Sequence, residues 1–113
     1  MPYEARLEEF EASSPDGSVR VAQFRRAGML TVGDRPELYF FLVSGEEVAV
    51  AISGSALKRF EEPRRSLSRE EKIDIAGLLL KRAIESGKTL DSRNLSIRDE
   101  ALARLAGELA IPA

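Results

Sequence analysis

The chain contains no histidine and no cysteine. Histidine is the side chain that ordinarily changes charge near neutral pH, and together with cysteine it supplies most zinc ligands. Their absence excludes Ser-His-Asp and Cys-His nucleophile systems, HExxH metal sites, thiolate centres and disulfides. Acid–base work is left to Asp, Glu, Lys, Tyr and Ser. Tryptophan is absent too, and apolar runs such as Tyr39–Val43 and Ile75–Leu80 are far below the ~20 residues of a membrane-spanning helix. The opening Met1-Pro2-Tyr3-Glu4 has neither the basic segment nor the apolar stretch of a secretory signal. The expectation is a cytoplasmic protein without membrane association, in keeping with the lack of cysteine.

No charge of one sign dominates either. Seventeen Lys and Arg stand against nineteen Asp and Glu, a net charge of −2 in 113 residues. Such a balance exerts no overall pull toward nucleic acid or an acidic membrane surface. Hydrophobic residues make up 43% of the chain, enough to build a core, and the length suits a single domain over residues 1–113.

The first half reads as strands. Ser13-Ser14-Pro15-Asp16-Gly17-Ser18 is a dense turn signal, so a segment within Tyr3–Ala12 and a strand from Val19 to about Arg26 form a hairpin. Gly28 and Gly33-Asp34-Arg35-Pro36 break the chain, with room for a short strand over Met29–Val32 between them. The run Glu37–Val43 lacks alternation, as in a strand buried on both faces, and pairs through Ser44-Gly45 with the alternating Val48–Ile52.

From Ser55 the period changes to 3.6. Three helices are expected, over about 55–62 with Ser55 as its cap, about 68–86, and about 97–109. Ser68 and Glu71 have capping-box spacing, Gly87 is a helix stop, and Ser96 followed by Asp99 resembles another start. Strands followed by helices give the α+β class: an antiparallel sheet of four to five strands within about 3–53, with three helices packed on one face.

Several short patterns mimic motifs and carry no chemistry. Gly87-Lys88-Thr89 looks like the end of a phosphate-binding loop, but position 82 is Arg82 instead of glycine, and the triplet ends a helix where the motif must open one. Ser53-Gly54-Ser55 sits at a strand-to-helix turn without the G-x-S-x-G pattern or a histidine to activate a serine. The pairs Glu46-Glu47, Glu61-Glu62 and Glu70-Glu71 diverge on strands and helices alike, so spacing alone poises none of them. No catalytic residue, metal site or cofactor is assigned, and a non-enzymatic protein is expected.

Two surfaces remain. Lys58, Arg59, Arg64, Arg65, Arg69 and Lys72 place six cations within fifteen residues, and Arg25 and Arg26 can join them. Guanidinium groups match phosphate, but Glu61, Glu62, Glu70 and Glu71 are interleaved and only Phe60 can stack on a base, as in a salt-bridged face. The other surface is apolar: Ile73, Ile75, Ala76, Leu78, Leu79, Leu80, Ala83 and Ile84 cover more than half of the 68–86 helix, to be buried either in an interface or under the 55–62 and 97–109 helices. The expectation is therefore an interaction or accessory module acting through a protein partner or a homodimer. The alternative is a nucleic-acid or phosphate-ligand binding domain using Lys58, Arg59, Arg64, Arg65 and Arg69.

Overall fold

Short turns with residues suited to left-handed backbone fold the first half of the chain back on itself. In a computed structural model, which describes residues 3–112, β1 (Glu9–Ser13) and β2 (Val19–Met29) are joined by Ser14–Ser18. Gly17 there has φ +88°, and Asp16 accepts from the Ser18 amide and hydroxyl. β3 (Glu37–Val43) turns into β4 (Glu46–Ile52) through Ser44 and Gly45, at φ +47° and +92°. Two successive positive φ angles match the twist of a tight hairpin.

After β4 come α1 (Gly54–Glu61), α2 (Arg69–Glu85), β5 (Ser96–Ile97) and α3 (Asp99–Glu108). The sheet order is β1-β2-β3-β4-β5, antiparallel except for β5, which lies parallel to β4. The class is α+β as expected from the sequence, with four strands inside the expected span. The fifth strand falls outside it, because Ile97 is completely buried beside Ile52 and belongs to the core instead of to a helix. α3 therefore begins at Asp99, and its N-cap Arg98 makes no side-chain capping bond. The Ser96–Asp99 spacing was a false helix start.

Other boundaries shift for local reasons. Ser53, not Ser55, caps α1 by accepting from the Ala56 amide at 3.2 Å. α2 has the expected reciprocal cap between Ser68 and Glu71. It closes at Gly87 (φ +70°), where the Lys88 and Gly87 amides donate to the Ala83 and Ile84 carbonyls. Tyr3–Leu7 stays out of the ladder, and Glu8 contributes only its carbonyl, which accepts from the Phe24 amide ahead of β1. Met29 ends β2 instead of opening a separate strand, so β2 runs past Gly28.

Register puts Ala12, Ala22, Tyr39, Phe41, Val43, Val50, Ile52 and Ile97 on one side of the sheet. All are buried in one cluster with Ile73, Ile75, Leu80 and Ile84 of α2 and Leu102 and Leu105 of α3. The run Tyr39–Val43 is thus covered on one face, while Leu38, Phe40 and Leu42 on the other are half-buried. α2 is enclosed by the sheet on one side and α3 on the other, so of the two expected covers for its wide apolar arc the later helix supplies one within the chain. Ile73, Ile75, Ala76 and Leu80 are fully covered within a single chain.

Candidate functional site

The arginine-rich stretch spans the end of α1, the link after Pro63 and the start of α2, and its cations turn to different elements. Arg59 grips the Asp99 carboxylate with Nε and Nη2, both at 2.7 Å, and ties α1 to α3. Arg64 donates to the Phe60 carbonyl at 2.8 Å and lies 4.3 Å from the centroid of the Phe60 ring. Arg65 forms a two-pronged pair with Glu71 at 2.8 and 2.7 Å, and also donates to the Ser66 and Pro112 carbonyls. Arg69 stands 5.2 Å from the Phe24 ring on β2, and Lys72 pairs with Glu37 on β3 at 3.2 Å. Lys58 alone of the six has neither an ion pair nor an aromatic partner among the described residues. Arg26 is on the other side of the sheet, stacked 3.8 Å from the Phe40 centroid and paired with Glu47 at 3.2 Å.

These partners explain the local electrostatics. The Arg65 guanidinium hydrogen-bonded to Glu71 draws its carboxyl down to about 2 against the opposing effect of burial, with help from the Ser68 amide. Arg59 likewise lowers Asp99. A carboxylate that already holds each guanidinium leaves little for a phosphate to gain.

Two carboxylates among the described residues are buried, and both have structural partners. Besides Glu71, Asp74 on α2 accepts from Tyr3 Oη at 2.5 Å, from the Arg6 amide at 2.9 Å and from the Leu7 amide at 2.7 Å. It therefore clips the segment Tyr3–Leu7 against the helix. Gly77, one turn on, allows that approach: a Cβ there would sit 2.8 Å from the Leu7 Cβ. The charge inside Ile73-Asp74-Ile75 was visible in the sequence, and a charge on an apolar helix face signals a buried hydrogen-bond acceptor.

The serine pair also has a structural role. Both hydroxyls face the Asp34 carboxylate, Ser53 in a short hydrogen bond and Ser55 at 3.4 Å, while Ser53 caps α1. Gly54 is required because a Cβ would lie 2.2 Å from the Asp34 carbonyl oxygen. The two larger grooves, about 640 and 800 Å³, are open and lined by charges of both signs: Arg20, Lys88 and Glu46 in one, Asp34, Lys58 and Glu61 in the other. No buried side-chain polar atom among the described residues lacks a partner, so neither groove holds a buried donor or acceptor left for a ligand.

What stands out is β2. The exposed large hydrophobics among the described residues are Val19, Val21, Met29, Leu30 and Val32, and all lie on this strand or in the loop after it. By alternation Val19 and Val21 at one end of β2 and Leu30 after its other end face the side opposite the helices, with Gln23, Arg26 and Gly28 between them beside half-buried Leu42, Phe40 and Leu38, while Met29 faces the helix side. Sequence reasoning passed over this surface because each residue there looks like ordinary strand filling. No helix among the described residues is long and apolar enough to cross a membrane. Compared with known proteins, the chain matches no family model, no curated protein and no solved structure.

Proposed function

We propose that the protein is a non-enzymatic interaction module that engages a protein partner through β2 and the loop that follows it. The observation that carries this reading is the concentration of the exposed large hydrophobics among the described residues, Val19, Val21, Met29, Leu30 and Val32, on one strand and its loop. Singly scattered apolar residues need no explanation, whereas their concentration on one strand and the loop after it is what an association surface would provide. The expected alternative, phosphate or nucleic-acid binding through Lys58, Arg59, Arg64, Arg65 and Arg69, has less behind it. Arg59 and Arg65 are held by carboxylates, and Arg64 and Arg69 lie against aromatic rings.

Photo-cross-linking in the cells that make the protein tests the reading. A photoreactive phenylalanine analogue replaces Val21, Val32 or, as a control, the exposed Ala103 on α3. Adducts with protein should form from positions 21 and 32 and not from 103. Their absence from positions 21 and 32, or an equal set from 103, counts against the module. Adducts with nucleic acid from a probe at Lys58 favour the arginine reading instead.

A further inference from the structure

We infer that the second half of β2 is an open strand edge that pairs with the same edge of a second copy, joining two sheets into one. This rests on the interaction-module reading and names its partner. β1 pairs with β2 only over Val19–Gln23, and the last bond on that side runs from the Phe24 amide to the Glu8 carbonyl. Beyond it a bulge at Arg25 shifts the register, and β2 continues to Met29 against β3 alone. The Leu30 amide donates to the Pro36 carbonyl, so Leu30, Gly28 and Arg26 direct their backbone groups toward β3. By the same alternation, Ala27 and Met29 direct theirs to the vacant edge, and Ala27–Val32 are all exposed.

Such an edge is ordinarily blunted by charge, proline or cover. Here Arg25 and Arg26 guard one end, but the following Ala27-Gly28-Met29-Leu30-Thr31-Val32 has neither charge nor proline. The pattern is self-complementary about Gly28. Antiparallel pairing on a two-fold axis there sets Ala27 opposite the partner's Met29, which exchange both backbone bonds, and symmetry repeats the exchange. Arg26 then faces the partner's Leu30, and Arg25 faces the partner's Thr31, so no like charges oppose one another. Met29 and Leu30 both lose exposure. Glu8 occupies the ladder at Phe24, which stops the pairing after one copy, and a two-fold contact is closed, so it yields a dimer and no fibre.

The full chain provides the test, because it contains no cysteine and one introduced thiol is unique. Gly28 pairs with its counterpart in a non-hydrogen-bonded position, where Cα atoms lie about 4.5 Å apart, within disulfide reach. A Cβ at Gly28 meets only the Phe40 ring edge, at 3.8 Å, so Gly28→Cys fits the monomer. Wild type should sediment at rising concentration toward twice its 12.5 kDa. Mild oxidation should link Gly28→Cys across the axis but not Ala103→Cys. Ala27→Pro removes an outward amide without touching the β2–β3 ladder, and should leave a monomer of unchanged far-UV spectrum. A monomeric wild type at high concentration, or a dimer in which Gly28→Cys fails to link, overturns the inference. If Ala27→Pro loses its fold, the Gly28→Cys result alone decides. Adducts from Val32 to other proteins in a chain that stays monomeric would overturn self-pairing and leave the interaction module standing.

Discussion

The two sides of this sheet are built from similar residues and treated differently. On the helix side, Tyr39, Phe41 and Val43 are buried, and Phe10, Phe24 and Phe41 meet edge to face. On the other side, Leu38, Phe40 and Leu42 of the same strand stay half-buried, with Arg26 lying over Phe40. Covering one face is enough to hold an antiparallel sheet, so the fold does not need the second. Apolar residues retained there are available to a partner. On the proposed reading, the helix side supplies stability and the open side association.

Substitutions can break that assignment. The largest effect is expected from Asp74→Ala, which leaves the Arg6 and Leu7 amides and the Tyr3 hydroxyl without their acceptor. Chemical denaturation should show a loss on the order of 3 kcal/mol, since each stranded donor costs roughly 1–3 kcal/mol when buried. A neutral result would mean that the N-terminal segment does not contribute to the core.

Gly77→Ala comes next. Its Cβ would collide with Leu7, and overpacking at such a contact costs about 1–3 kcal/mol. Faster exchange of the Leu7 amide, more than that of the sheet, should accompany the lower midpoint.

The Arg65–Glu71 pair provides a test by pH. Glu71 has a folded value of about 2, below the 4.5 of an ordinary glutamate, so its contribution is complete above about 4.5 and is lost as pH falls toward 2. Glu71→Gln should flatten the slope of stability against pH in that window. Arg65→Ala should lower stability at neutral pH as well, because Glu71 is only 1% exposed and would be left charged without its partner. This makes Arg65 a poor reporter of ligand binding.

The smallest effect on folding sharpens the comparison most. Val21→Asp and Val32→Asp, at 40% and 69% exposure, should change stability by less than about 0.5 kcal/mol while abolishing adducts from the open side. A loss comparable to that of Asp74→Ala would place these residues in the fold itself.

Much of the architecture was legible in the chain. The turn at Pro15-Asp16-Gly17, the Ser44-Gly45 hairpin, the Ser68–Glu71 cap and the Gly87 stop are local chemistry and read directly. What escaped depends on distant partners. Ile97 becomes a strand residue because β4 offers it an edge and a buried place beside Ile52. The α2 arc looked oversized because its cover, α3, arrives later in the chain. The basic stretch read as a salt-bridged face, but Asp99, Phe24 and Glu37, which hold Arg59, Arg69 and Lys72, come near them only after folding. The free edge of β2 exists because β1 stops short of Arg25, and no local pattern encodes that.

Site-resolved amide exchange at Ala27 and Met29 tests the central claim most directly. In dilute protein these two amides should exchange rapidly while Gly28 and Leu30, bonded to β3, stay protected, and raising the concentration should protect Ala27 and Met29 as well. Protection of Ala27 and Met29 equal to that of Gly28 at every dilution would mean that the edge is already covered within one chain, and would contradict the account.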